Sequence, residues 1–219
     1  VARENTTLVF SLEMSKEQLY QRMLSSFSGV DAERIFQLTY TESDFYKMVE
    51  GTDEITNLNL FVDDRGGLTL SEIKNRARNV KRKHDLKFIV IDYLQLIQGG
   101  GRYRVNRVQE VTEISSGLKA LAKELDVPIL ALSQLSRGVE IRADKRPQLS
   151  DLRESGSIEQ DADIVMFLYR PDYYDAEDAD LQNKAELNLA KNRNGATGSC
   201  YLYFDKKHLQ FSDLIKEDV

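Results

Sequence analysis

Three stretches of this sequence run into side chains suited to phosphoryl transfer. Phe88-Ile89-Val90-Ile91 stops on Asp92, Thr7-Leu8-Val9-Phe10-Ser11-Leu12 leads into Glu13, and Ile129-Leu130-Ala131-Leu132-Ser133 leads into Gln134. Short apolar runs rich in β-branched residues read as strands of a parallel sheet covered on both faces. Open α/β sheets bind ligands beyond the carboxyl ends of their strands, so two carboxylates and an amide would meet at one edge. There Glu13 would serve as base for a water, Asp92 as a hard anionic oxygen for Mg²⁺, and Gln134 as a sensor of the γ-phosphate. Each signal alone is weak, because a strand often ends in Asp merely to cap the next turn. Three on one edge favour the chemical reading.

The elements that must position these groups form an alternating strand and helix pattern, an α/β class. Ser15-Lys16-Glu17-Gln18 is a capping box for a helix running to about Ser28, with Gly29 as its stop. Residues 31–59 read as short helices with Gly51 between them, and Leu60-Phe61-Val62 as a strand whose Asp63 the turn Asp64-Arg65-Gly66-Gly67 explains. Thr69 and Glu72 form a second capping box. Leu70, Ile73, Ala77 and Val80 make the core stripe of that helix, and Lys74, Arg76, Arg78, Lys81, Arg82 and Lys83 a solvated face. His84 suits the carbonyls at its end, which leaves no metal role for it or for His208. Val108, Val111, Ile114, Leu118, Leu121 and Leu125 are expected in the core along one face of a long helix. Pro128 opens the strand to Gln134, and Ile164 to Tyr169 is a further buried strand. An exposed acidic insert, Asp172 to Asp180, precedes the strands Ala185–Ala190 and Tyr201–Phe204.

The basic residues are local. With 30 basic and 36 acidic side chains, a net charge of −6 and a pI near 5.1, the chain is no general nucleic-acid-coating protein. The polar segment Leu135 to Asp161 is long enough to be a functional loop. In it Ser150-Asp151-Leu152-Arg153 suits one helical turn, and Glu154-Ser155-Gly156 offers backbone N–H groups a phosphate could approach. Arg102, Arg104 and Arg107, beside Gly99-Gly100-Gly101, read equally as linker charges or phosphate contacts. Lys191 and Arg193, at a basic turn, read as surface charges by default or as a cationic finger reaching a phosphate. Cys200, the single cysteine, excludes an intrachain disulfide and is expected as a small core hydrophobe. No apolar stretch approaches the ~20 residues of a membrane span and no signal peptide is present, so a cytoplasmic chain with no membrane partner is expected. No Pro-, Gly- or Ser-rich stretch divides the 219 residues, which points to one domain. No G-x-x-x-x-G-K-[ST] occurs, so the chain as it stands is expected to bind ATP poorly and to be inactive alone.

Several motifs together carry a resemblance. FSLEMS (Phe10 to Ser15), VIDYLQL (Val90 to Leu96), NRVQEVTEISSGLKALAKEL (Asn106 to Leu125), LSQLSRGVE (Leu132 to Glu140), DKRPQLSDLRESGSIEQDAD (Asp144 to Asp163) and AKNRNG (Ala190 to Gly195) closely resemble the RecA-like motor domain of DnaB-type replicative DNA helicases. The resemblance implies a mostly parallel central sheet with helices on both faces and a homo-hexamer with ATP and Mg²⁺ between subunits. It also implies single-stranded DNA in the central channel, with primase and a helicase loader as further partners. By the same resemblance Glu13 matches the catalytic base, Asp92 the Walker B metal ligand, and Gln134 the residue coupling the γ-phosphate to the DNA loop. Arg153, Glu154 and Gly156 match the loop that holds the DNA backbone, and Arg107 is a further candidate DNA contact. Lys191 and Arg193 match the pair reaching the neighbour's nucleotide. Residues 1–219 would all belong to the motor domain, with the phosphate loop and the family's N-terminal helical domain absent. The alternatives are a RecA-type recombinase-like ATPase or clock protein on the same fold, and a non-catalytic assembly or DNA-binding module.

Overall fold

Strand and helix signals alternate in the structure much as in the sequence. The structure is a computed structural model, described here for all residues except 100–105, 153–155, 176 and 215–219. In chain order the elements are β1 (Thr7–Ser11), α1 (Lys16–Ser28), α2 (Ala32–Phe36), α3 (Glu42–Thr56), β2 (Leu60–Asp63), α4 (Leu70–His84), β3 (Phe88–Asp92), α5 (Arg107–Leu125), β4 (Ile129–Ala131), α6 (Gly138–Ile141), α7 (Gly156–Asp161), β5 (Ile164–Tyr169), β6 (Lys184–Asn192), β7 (Gly198–Asp205) and β8 (Gln210–Asp213). They fall into two compact units, residues 1–19, 57–143 and 149–162, and residues 20–56, 144–148 and 163–219.

The first unit holds a wholly parallel sheet in the order β2-β1-β3-β4. Leu8 and Phe10 stand beside Ile89 and Ile91 on one face, where Ile73 and Ala77 of α4 and Val111, Ile114 and Leu121 of α5 cover them completely. Each such Ile, Leu or Phe contributes about 1.5–3 kcal/mol by leaving water. Local chemistry sets the helix ends. Ser15 and Gln18 cap α1 reciprocally, Thr69 and Glu72 form the box at α4, and the Asn106 side chain accepts the first N–H groups of α5. The core stripe of α5 is shorter than its apolar spacing suggests. Val108 is 52% exposed and lies outside the packed cluster, which begins at Val111 on this helix. β4 ends at Ala131, before Gln134, and the stretch from Leu135 to Asp161 is built into α6, a 3-10 turn at Leu149–Leu152, and α7.

The second unit holds α1 from Tyr20 onward, α2, α3 and an antiparallel sheet, β5-β6-β7-β8. Leu24, Val30, Ile35 and Met48 form its helical core. Gly51 lies inside α3 and does not divide two helices. A Cβ there would stand 3.0 Å from the backbone N and Cβ of Ser28, so the glycine marks a close helix approach. β5 is not buried throughout. Val165 and Phe167 face inward, while Ile164, Met166 and Leu168 are about half exposed, the alternation of a one-sided sheet. On β6 the register against β5 shifts: Lys191 faces Val165 and Leu189 faces Met166, leaving Ala190 unopposed. Cys200 is exposed on β7 and not a core residue, since it lies opposite Leu187 on the sheet's open face. Asp172, expected in an exposed insert, is fully buried, because Lys206 at 2.7 Å and Arg170 at 3.3 Å neutralise it.

Candidate active site

Parallel pairing brings the ends of β1 and β3 together. Ser11 pairs with Asp92, and the N–H of Leu12 donates to the Asp92 carbonyl at 2.7 Å, so Glu13 and Asp92 leave the sheet on adjacent strands. The Ser11 hydroxyl donates to the Met14 carbonyl at 2.7 Å and closes the turn that carries Glu13. Glu13 is exposed and Asp92 half-buried. Among the described residues neither carboxylate has a hydrogen-bond or ion-pair partner. The neighbouring carboxylates at the end of β2 differ. Asp63 binds Arg65 and Arg76, which takes Arg76 out of the expected solvated face. Asp64 accepts the Lys16 N–H at 3.0 Å, and that bond holds its carboxyl below the usual range. The edge therefore keeps Glu13 and Asp92 available for a cationic or phosphorylated ligand. The peptide bond after Asp92 is cis.

Gln134 lies one strand further along. Leu132 continues the ladder of β4 by donating to the Ile91 carbonyl at 2.9 Å, and Leu94 donates to the Leu132 carbonyl at 2.9 Å. Beyond that the side chain of Gln95 takes over. Its Nε2 donates to Ser133 Oγ at 3.0 Å and to the Gln134 carbonyl at 3.2 Å, and its Oε1 accepts the Gln134 N–H at 3.2 Å. Sequence reasoning missed Gln95. Its signals were its place in the VIDYLQL stretch and its polarity between the apolar Leu94 and Leu96. Gln95 and Gln134 line a small pocket with Leu135, Ser136, Asp151 and Leu152. The Ser136 N–H donates to the Asp151 carbonyl at 2.9 Å, and the buried Asp151 carboxylate accepts two bonds from Arg142, at 3.0 and 3.1 Å. Arg153 and Glu154 follow directly and lie outside the described residues, as do Arg102 and Arg104. Gly156 opens α7 and is exposed.

Arg107 stands at the start of α5, where its guanidinium binds Glu110 and the Gln95 backbone carbonyl. Burial pushes the Glu110 carboxyl up. The Gly99 N–H at 2.8 Å and Arg107 more than offset that and hold it below its usual range. Arg107 thus ties the loop after Asp92 to α5.

Lys191 and Arg193 belong to the second unit. Lys191 lies within β6 and not in the turn, half-buried opposite Val165. Arg193 extends the β5–β6 ladder by one step. Its N–H donates to the Asp163 carbonyl at 2.8 Å, its guanidinium binds the Asp163 carboxylate at 2.8 Å, and its side chain is 48% exposed.

Comparison with known proteins fits this geometry. The family model described as DnaB-like helicase C terminal domain matches residues 1–213. The replicative DNA helicase DnaC of Bacillus subtilis (strain 168) is 50% identical over 211 residues, 96% of this chain and 46% of that protein. The replicative DNA helicase DnaB of Geobacillus stearothermophilus is 50% identical over 206 residues, 94% of this chain and 45% of that one. The chain spans about half the length of these curated relatives. Among solved structures, a DnaB-like replicative helicase studied with its primase interactions superposes with a TM-score of 0.91 at 40% identity, covering 97% of this chain and 52% of that one. A second solved structure, of an ATPase domain, gives 0.91 at 39% identity, covering 98% of this chain and 78% of that one. With the α/β fold of those solved relatives, its parallel sheet, and a match over nearly its whole length, the chain belongs to the DnaB-like helicase C-terminal domain family.

Proposed function

We propose that residues 1–219 belong to the ATP-hydrolysing motor domain of a hexameric replicative DNA helicase, lacking its phosphate loop, and that the whole protein couples hydrolysis at subunit interfaces to movement along single-stranded DNA. The observation that carries this reading is the pair of carboxylates, Glu13 and Asp92, at the ends of adjacent parallel strands, without partners among the described residues and beside committed ones. Among the described residues no group of three or more His, Cys, Asp or Glu could hold a metal by itself. A lone strand-end carboxylate fits Mg²⁺, which binds through one or two carboxylates together with substrate phosphates and water. Asp92 would hold the ion, and bound Mg²⁺ would neutralise charge on the phosphates of ATP. Glu13 accepts the proton of the attacking water on a carboxylate oxygen. Gln134 reads the γ-phosphate and passes its state through residues 135–152 to Arg153, Glu154 and Gly156, which grip DNA phosphates and not base edges, since a motor must hold every sequence alike.

Lys191 and Arg193 act on the nucleotide of the neighbouring subunit. A cation supplied in this way is worth roughly 10³–10⁵ in rate in related phosphoryl-transfer enzymes. Primase, which a structural relative is known to engage, and a helicase loader are the proposed partners. No described helix is long and apolar enough to cross a membrane, and the proposed location is the cytoplasm.

Mixing tests the trans arrangement. Full-length subunits carrying Arg193→Ala and subunits carrying Glu13→Gln are each expected to be nearly inactive alone. Mixed rings should regain ATPase activity at interfaces where an intact Arg193 meets an intact Glu13. Mixed rings that form but recover nothing would refute the assignment.

A further inference from the structure

We infer that Gln95 is a positioning residue for Gln134, a clamp that fixes the direction of its side chain and joins it to the loop after Asp92. The inference rests on the reading of Gln134 as γ-phosphate sensor. Gln134 lies past the end of β4, where neither its N–H nor its carbonyl has a strand to pair with. The Gln95 carboxamide satisfies both, at 3.2 Å each, and also reaches Ser133 Oγ at 3.0 Å. One side chain thus replaces a strand residue, and a peptide pinned through both polar groups has a fixed Cα–Cβ direction.

The clamp stands on a held base. The Leu94 N–H is tied to the Leu132 carbonyl, and Arg107, itself bound to Glu110, grips the Gln95 carbonyl. Asp92 lies three residues before Gln95, so the segments carrying the proposed metal ligand and the proposed sensor shift together. Gln95 and Gln134 together line the pocket with Ser136, Asp151 and Leu152, directly before Arg153 in the chain. A loosened clamp would leave the sensor in place but poorly aimed, and DNA would lose its hold on hydrolysis.

Full-length Gln95→Glu tests this, because it keeps the volume and the acceptor for the Gln134 N–H while replacing the donor by an anion facing the Gln134 carbonyl. Gln95→Met removes both bonds without adding charge. In each, the ratio of DNA-stimulated to basal kcat should fall about tenfold, the size of one or two lost hydrogen bonds. Adding Gln134→Ala to either should lower the ratio no further than Gln134→Ala alone, the signature of residues acting as a unit. If Gln134→Ala abolishes stimulation and both Gln95 variants keep it, the clamp is refuted and the sensor reading stands. If Gln134→Ala itself keeps stimulation, the sensor reading fails and the clamp with it. Equal loss of basal and stimulated rates with a lowered Tm would mark Gln95 as a packing residue only and overturn the inference.

Discussion

Asp172→Asn should destabilise the second unit at neutral pH and lose that effect in acid. The Asp172 carboxylate has 0% of its side chain exposed and lies between Lys206 at 2.7 Å and Arg170 at 3.3 Å. Those cations follow β7 and β5, so the cluster ties together the two strands that flank β6 and its Lys191–Arg193 end. Asparagine keeps the shape but removes the charge and presents an amide donor to cationic donors. Orphaning a buried charge costs about 3–5 kcal/mol. Here Arg170 and Lys206 keep 31% and 40% of their side chains in water, and Arg170 still stacks over Phe204 at 4.4 Å. Hydration recovers part of the loss, which leaves about 1–3 kcal/mol. For a chain of this size that is a fall in Tm of about 2–12 °C.

The pH dependence follows from the carboxyl's position. Burial pushes its pKa up, but hydrogen bonds from Lys206 and Arg170, with their charges, pull it net below the usual value. A depressed folded pKa contributes stability that is present above the unfolded value, about 3.9, and is lost as pH falls through the folded one. Melting curves followed by circular dichroism should therefore show a constant gap between wild type and Asp172→Asn from about pH 8 to 5, closing below about pH 4. No gap at pH 7, or one undiminished at about pH 3, would refute the charge argument.

Two further outcomes are expected. Gly51→Ala gains about 1 kcal/mol of helix propensity but drives a Cβ to 3.0 Å from Ser28 backbone that cannot yield; overpacking of about 1–3 kcal/mol outweighs the gain, and a higher denaturation midpoint would contradict the close approach. Arg153→Ala in the full-length protein should weaken single-strand binding about equally for all sequences and lower the salt slope by about 0.7 for each phosphate it ceases to neutralise, and an unchanged slope would remove it from the DNA grip.

Much of the first unit is legible in the sequence because its signals are local. The apolar runs before Glu13 and Asp92 are the strands, and the boxes at Ser15–Gln18 and Thr69–Glu72 open the helices where expected. What failed depends on partners far along the chain. Asp172 looks like part of an acidic surface until Lys206, beyond two strands, closes on it. Cys200 and Val108 obey their periodicities, but periodicity does not say which face or which turn is left uncovered. Gly51 reads as a breaker when it is a contact, because a helix tolerates glycine where a second helix leaves no room for a methyl. Gln95 lies in the VIDYLQL stretch, but that motif points to Asp92; the meaning of Gln95 comes from a peptide 39 residues away. The roles of Lys191 and Arg193 rest on the motif resemblance, since position alone fits a surface hairpin equally well.

The unopposed Ala190 is a spare residue at the end of β6. Side chains alternate along a regularly paired strand, so a residue gained or lost there exchanges the faces of everything beyond it unless a bulge absorbs it. Ala190 already supplies one odd step. Its deletion would remove the bulge while leaving Leu189 opposite Met166 and Lys191 opposite Val165, so Lys191 and Arg193 would keep the faces they have. The bulge is thus one residue of slack at this end of β6, the place where the chain can lose a residue and still present its two cations in the same direction.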